Sequence, residues 1–158
     1  MNIRRTCAAL LLSLVPLLAL AAGEEGAPTG WTLLDQYDKP YTQNDDLKVL
    51  LVARDMAGGK LVKTALEGRP QGYLEQRHAV FVADISRMPS LISKMFAVPA
   101  MRDYNYRVLL DREPRVVSHF QVPEDSVLWI SLQQGRVVAS QAYASAPALR
   151  EALEQVAK

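Results

Sequence analysis

The fold of this chain is decided by residues 48–68, Lys48-Val-Leu-Leu-Val-Ala-Arg-Asp-Met-Ala-Gly-Gly-Lys-Leu-Val-Lys-Thr-Ala-Leu-Glu-Gly68. Residues 48–53 carry a continuous apolar run, which is typical of a β-strand buried on both faces. A glycine pair then breaks the chain. Residues 60–67 have apolar positions at helical spacing and predict a helix that is stopped by Gly68. A buried strand followed by a helix indicates an α/β layer structure.

The chain on both sides of this stretch continues the alternation of strands and helices. Further strand patterns occur at residues 31–34, 79–84 and 107–110, and in a hairpin of residues 126–132 and 136–141. The hairpin turns at Gln133-Gln134-Gly135. Ser145 is a helix-capping residue at the start of a last helix. We therefore predict one α/β domain over residues 31–158, with a mixed central β-sheet flanked by helices.

Residues 88–97 predict the clearest helix of the chain. Apolar residues recur there at the i, i+3, i+4, i+7 and i+8 positions of a helix, which makes a single apolar stripe. The stripe consists of Met88, Leu91, Ile92, Met95 and Phe96. We expect this stripe to pack into the core, and Pro99 to lie beyond the end of the helix.

The N-terminal segment is built like a secretory signal peptide and holds Cys7, the one cysteine of the chain. Residues 1–21 combine a basic start, an apolar run and small residues at Ala19 and Ala21, where signal peptidase cuts. The apolar run is too short to span a membrane well. We therefore expect removal of residues 1–21, a flexible lead at residues 22–30, and a mature protein without thiols that is exported to the periplasm.

The overall charge excludes one large class of partner. The chain has 18 basic and 17 acidic residues, so its net charge is +1, and no basic stripe appears. Nucleic-acid binding is therefore not expected. No apolar stretch of spanning length follows the N-terminal segment, so no membrane span is expected after signal removal. Without disulfides, the core alone must stabilise the fold.

These patterns resemble the thioredoxin-like superfamily, in the branch of peroxiredoxins and periplasmic thiol-disulfide proteins. Trp31-Thr-Leu-Leu-Asp35 is similar to the N-terminal hairpin of that branch, and Lys48-Val-Leu-Leu-Val to its first core strand. Tyr106-Arg-Val-Leu-Leu-Asp111 is similar to its strand that ends in Asp. Within the superfamily, the chain looks most like small periplasmic proteins of the YtfJ type. The resemblance implies a three-layer fold.

The chain departs from this family in the residues that carry thiol chemistry. The family's Cys-x-x-Cys would fall at Ala57-Gly58-Gly59-Lys60, which cannot form a thiolate. The cis-proline that usually faces the thiols aligns near Ser126, and the nearest proline is Pro123. The resemblance therefore implies the fold, whereas disulfide exchange and thiol peroxidase activity are not expected.

The loop that replaces the cysteines is the candidate binding site. Two glycines before a helix can turn free backbone N–H groups toward an anion, and Lys60 adds positive charge. The candidate ligand is a carboxylate, a phosphate or a peptide carbonyl. Alternatively, the glycines only make the turn, and Arg54 pairs with Asp55 at the end of the strand. The candidate binding residues are Arg54, Asp55, Gly58, Gly59, Lys60 and Ser126.

No motif in the chain predicts a metal, a cofactor or a catalytic residue. His78 and His119 have no neighbouring Cys, His or acidic pattern, and a metal site needs about three protein ligands. The methionines of residues 88–97 sit at core spacing, which argues against a copper site. The charged residues around Tyr104 and Tyr106 are interpreted as a solvated loop that frames a strand, with a partner surface as the alternative.

The function predicted from these residues is binding of a periplasmic protein, a peptide or a small anion at the former active-site edge. Two alternatives remain open at this point. The first is a cysteine-independent enzyme that uses Asp55, Lys60 or His119, which predicts a group with a strongly shifted pKa in a cleft. The second is a structural subunit of an envelope assembly, which predicts an exposed apolar patch.

Overall fold

The computed structural model describes residues 30–157, so the predicted signal peptide and most of the flexible lead lie outside the described residues. Seven strands form one sheet in the order β2-β1-β5-β4-β3-β6-β7. The strands are β1 (Thr32–Asp35), β2 (Pro40–Thr42), β3 (Val49–Ala53), β4 (Ala79–Asp84), β5 (Leu109–Asp111), β6 (Val127–Gln133) and β7 (Arg136–Tyr143).

The sheet is mixed, as predicted. The central strands β3, β4 and β5 run parallel, whereas β6 pairs antiparallel with β3 and β1 pairs antiparallel with β5. Each edge of the sheet is a hairpin, β1–β2 on one side and β6–β7 on the other. Both residues at the tip of the second hairpin, Gln134 and Gly135, have positive φ, which matches the right-handed twist of the strands.

Strand β3 is buried on both faces, which confirms the prediction from the apolar run. Val49 and Leu51 pack toward the helical side of the sheet, where α1 (Met56–Ala65) and α4 (Ala146–Gln155) lie. Leu50 and Val52 pack toward the opposite side, which is covered by the chain between β5 and β6. That cover includes a single 3₁₀ turn at Val117–His119.

Helix α1 begins four residues earlier than predicted. Asp55 is its N-cap, so Met56 to Gly59 form the first turn of the helix and not a loop before it. The prediction was wrong because it treats the glycine pair as a break in the chain, whereas a capping carboxylate outweighs the weak helix propensity of two glycines.

The second helical region differs most from the prediction. It consists of α2 (Ser90–Ile92), a π-helical turn (Ser93–Ala97) and α3 (Val98–Met101), so Pro99 lies inside it. Its apolar stripe was predicted to be buried and is mostly exposed. The inward positions are taken by Ser93 and Val98. The periodicity identified a stripe correctly, but a periodicity does not say which way a stripe faces.

Candidate binding cleft

The candidate site is built at the carboxyl ends of the parallel strands, where Asp55 fixes the start of α1. One carboxylate oxygen of Asp55 accepts a hydrogen bond from Gly58 N at 2.7 Å, and the other accepts one from Asp125 N at 2.9 Å. Asp55 thus ties α1 to the loop before β6. Partial burial by itself raises the pKa of the Asp55 carboxyl, but these N–H donors and the charge of Arg54 together lower it below its ordinary value.

Gly58 and Ser126 are brought into direct contact by this arrangement. A Cβ atom built on Gly58 would lie 2.4 Å from the backbone carbonyl oxygen of Ser126 and 3.0 Å from Cβ of Ala53. Gly59, by contrast, has nothing within 4 Å of a Cβ. Ser126 is buried directly before β6. The cis-proline of the thioredoxin-like proteins aligns near this residue, and residues 30–157 contain no cis peptide bond. Gly58 is therefore required by close packing.

Arg54 lies on a different side of the strand ends from the other candidates. Its guanidinium forms an ion pair with Glu124 at 2.6 Å, and not with Asp55 as the alternative interpretation of this loop predicts. Arg54 lines a second pocket of about 640 Å³ together with Arg87 and Phe120. The structure therefore separates Arg54 from Lys60.

A cleft of about 870 Å³ runs along α1 and contains three of the six candidates, namely Asp55, Gly59 and Lys60. Its opposite wall is formed by α3 and the chain that follows it. Apolar side chains from β4 and from the chain between β4 and β5 line its floor: Phe81, Ala83, Met88, Met101 and Val108. The candidate residues thus form one rim of a much larger, mainly apolar cleft.

Two tyrosines close the far end of the cleft. Tyr104 stacks on Tyr106 with ring centroids 5.1 Å apart, and Lys63 of α1 places its Nζ 5.0 Å from the centre of the Tyr104 ring. Tyr106 is 8% exposed, and its hydroxyl has no hydrogen-bond partner among the described residues. Burial and the neighbouring Tyr104 raise the pKa of this phenol. The interpretation of this segment as a solvated loop is therefore wrong for Tyr106.

The rim of the cleft carries charges of both signs. Lys60 and Lys63 line the α1 side, and within residues 30–157 neither has a carboxylate within ion-pair distance. Four carboxylates also line the rim: Asp55, Glu67, Asp84 and Asp103. Because Asp55 already occupies the N-terminus of α1, that end of the helix presents a negative charge beside its N–H groups. A simple anion meets no concentrated positive field here.

The two histidines lie away from the cleft. His78 has φ 51° and ends the 3₁₀ turn Glu75–Arg77. Its carbonyl accepts hydrogen bonds from the backbone N–H groups of Lys48 and Val49. His119 is exposed in the 3₁₀ turn on the other side of the sheet. Within the described residues, no three His, Cys, Asp or Glu side chains are grouped so that they could hold a metal ion.

The cleft was missed by sequence reasoning because three distant segments build it. Lys63, Phe81 and Tyr104 come from α1, β4 and the loop after α3. The one local signal was the Tyr104-Asn-Tyr106 pattern, since closely spaced aromatic residues in a charged loop are typical of binding surfaces. None of the helices within residues 30–157 combines the length and hydrophobicity that a membrane span requires.

Solved structures share this fold. No protein-family model matches the sequence, and no curated protein sequence matches it either. The thioredoxin domain of a thiol-disulfide oxidoreductase from Bacteroides vulgatus superposes with a TM-score of 0.53 at 18% identity, over 85% of this chain and 97% of that one. The peroxidoxin BcpB from Mycobacterium tuberculosis superposes with a TM-score of 0.51 at 14% identity, over 84% and 98% of the two chains.

An exposed lipoprotein is among the similar structures. The exposed lipoprotein thioredoxin of Streptococcus pneumoniae has a TM-score of 0.51 at 13% identity, over 80% of this chain and 99% of that one. The chain therefore has a thioredoxin-like fold, similar to those of thiol-disulfide oxidoreductases and peroxiredoxin-type proteins. The resemblance seen in the sequence is confirmed in its fold. Superpositions at identities this low establish the fold, but they do not transfer an activity to this chain.

Proposed function

We propose that this protein is an exported, redox-inactive thioredoxin-like module that binds a polypeptide segment of an envelope protein in the cleft. The observation that carries the proposal is the cleft of about 870 Å³ with an apolar floor, which runs along α1. Its size is that of a site for a compact ligand or a few side chains. One end of the cleft, at Asp55 and Asp84, lies at the carboxyl ends of parallel strands, which is the usual place for ligands in open α/β sheets.

The absence of thiols supports a binding role. The one cysteine of the chain is Cys7, and the first turn of α1 contains Met56, Ala57, Gly58 and Gly59. Disulfide exchange needs a thiolate, which none of these residues supplies. The N-terminal sequence favours export to the periplasm, where Cys7 would be removed with the signal peptide.

The chemistry of the cleft suits a polypeptide better than a free anion. Phe81, Ala83 and Val108 offer an apolar floor to a side chain. The lysines and carboxylates on the rim can bind the carbonyls and N–H groups of a peptide backbone. An isolated phosphate or carboxylate would instead lie close to the carboxylates of Asp55 and Asp84.

Peptide display against the purified protein tests this proposal. We expect the selected peptides to share a large apolar residue and to lose binding to Ala100→Trp, which narrows the cleft. Ala142→Trp, on the exposed strand β7, is the matched control and should bind them like the native chain. Peptides that bind all three proteins equally would show that the cleft is not the binding site.

A further inference from the structure

The outer face of the second helical region is a separate feature that the cleft does not use. It consists of Leu91, Ile92, Met95 and Phe96, which are 64%, 45%, 60% and 61% exposed. Ser93 and Val98 point inward and are buried. Residues four apart lie on the same side of an α-helix, and they remain close to one side through the wider π-helical turn at Ser93–Ala97. Leu91 with Met95, and Ile92 with Phe96, therefore align in two adjacent rows.

Such a face is unusual on a folded protein. Single exposed apolar residues need no explanation, but a contiguous group of four large ones marks an interaction surface. The face lies on the outer side of the helical region, while the cleft lies on its inner side, where Ala97 and Met101 line the cleft wall. The exposed side chains therefore project outward from the molecule.

The helical region that carries the outer face contains basic residues and no acidic ones, and Asp84 and Asp103 flank it on either side. Residues 85–102 contain Arg87, Lys94 and Arg102 and no acidic residue. Arg102 is engaged by the carbonyl oxygen of Gln36 at 2.8 Å. Arg87 and Lys94 are exposed, and neither forms an ion pair within residues 30–157. The helical region is thus apolar on its outer face and basic beside it.

We propose that the outer face binds the surface of an anionic lipid bilayer. Projecting Leu, Met and Phe side chains can enter the boundary between headgroups and acyl chains, while neighbouring cations contact the lipid phosphates. Charge complementarity favours this occupant, since a helix with basic residues beside a large apolar face is the pattern of interfacial binding. The inference is independent of the function proposed for the cleft. It places the cleft beside the membrane surface.

Vesicle flotation tests this proposal on the protein as cells produce it, with its N-terminus determined by mass spectrometry. The probes are vesicles of phosphatidylcholine alone and of equal parts phosphatidylcholine and phosphatidylglycerol. We expect binding to the anionic vesicles that weakens with added salt. Lys94→Glu should reduce this binding at least fivefold, which corresponds to about 1 kcal/mol for each cation near an anionic surface. The double variant M95S/F96S should reduce it at least tenfold.

Matched controls come from the other edge of the sheet. Val138 is 59% exposed on β7, and Arg136 is exposed on the same strand, so Val138→Ser and Arg136→Glu repeat both kinds of change elsewhere. Both should bind the anionic vesicles like the native chain. Equal losses in the control variants, or no binding by the native chain, would overturn the proposal. Binding of a soluble protein that M95S/F96S abolishes, without vesicle binding, would also overturn it. Thr64→Trp, which narrows the cleft from the α1 side, should leave vesicle binding unchanged, and this separates the test from that of the cleft.

Discussion

The two adjacent glycines of α1 should respond oppositely to alanine. Alanine has a higher helix propensity than glycine by about 0.5–1 kcal/mol, and this gain is available at both positions. At Gly59 a Cβ would enter open space, so Gly59→Ala should stabilise the protein by about that amount. The melting temperature should rise by roughly 2–4 °C per kcal/mol.

At Gly58 the same methyl group meets the backbone. Its Cβ would lie 2.4 Å from the Ser126 carbonyl oxygen, below the 3.0 Å that real Cβ contacts respect. Neither atom belongs to a flexible side chain, so α1 or the start of β6 must move by at least about half an ångström. Overpacking of this kind costs about 1–3 kcal/mol, which exceeds the gain in helix propensity. We expect Gly58→Ala to lower the free energy of unfolding by about 1–2 kcal/mol.

Urea unfolding followed by tryptophan fluorescence measures both variants, since the chain contains Trp31 and Trp129. The two variants should differ by about 1.5–3 kcal/mol, with the native protein between them. A Gly58→Ala protein as stable as Gly59→Ala would refute the close contact between α1 and the loop before β6. Close packing would then no longer explain why glycine occupies position 58.

Three further predictions concern individual polar groups. Asp55→Asn keeps a capping oxygen for Gly58 N but loses the acceptor of Asp125 N, so it should lose about 1 kcal/mol of stability at neutral pH. This difference should shrink as the pH falls below the ordinary carboxyl pKa of 3.8, because the native fold lowers the pKa of Asp55 and its stabilisation is lost on protonation. Unfolding free energies measured across this pH range test it. Tyr106→Phe removes a buried hydroxyl without a hydrogen-bond partner among the described residues and should raise the unfolding free energy by up to about 1 kcal/mol, so a large loss in urea unfolding would contradict the geometry. Arg107→Met leaves the buried carboxylate of Asp35 without the guanidinium at 2.8 Å and should cost about 2 kcal/mol. Arg115→Met, which breaks an exposed pair, should leave the free energy of unfolding unchanged by the same measurement.

The central position of β3 could be predicted from the sequence because all five of its residues are apolar, which indicates burial on both faces. A run such as residues 49–53 has one stable setting, between two strands and under two layers. The final hairpin could also be predicted from the sequence, since Gln134-Gly135 can adopt the two positive φ angles of its turn. Both elements are determined by residues that are close together in the sequence, and such short-range patterns can be recognised in a single sequence.

The start of α1 and the direction of the stripe could not be predicted in the same way. Asp55 acts as a cap because its carboxylate reaches Gly58 N and Asp125 N, and the second contact joins residues 70 positions apart. The stripe of residues 88–97 has the periodicity of a core helix. Whether the stripe is buried depends on which side of the helical region packs on the sheet, and Val98 is on the side that does.

The candidate site was predicted in part. Asp55, Gly59 and Lys60 do line one cleft, but Arg54 lies in a second pocket, and Gly58 and Ser126 pack against each other beside it. The cleft itself depends on a gap between α1 and a segment about forty residues later. No local pattern encodes such a gap, because its width is set by how the two segments pack on the sheet.

Photo-crosslinking from Gly59 in living cells tests the central claim most directly. A photoreactive phenylalanine analogue fits there because a side chain at Gly59 enters open space at the rim of the cleft. The same probe at Glu151, exposed on α4, is the control. We expect a discrete crosslinked polypeptide from Gly59 that is absent from Glu151 and that disappears when Ala100→Trp narrows the cleft. A product that persists in the Ala100→Trp protein, or that forms equally from Glu151, would contradict binding in the cleft.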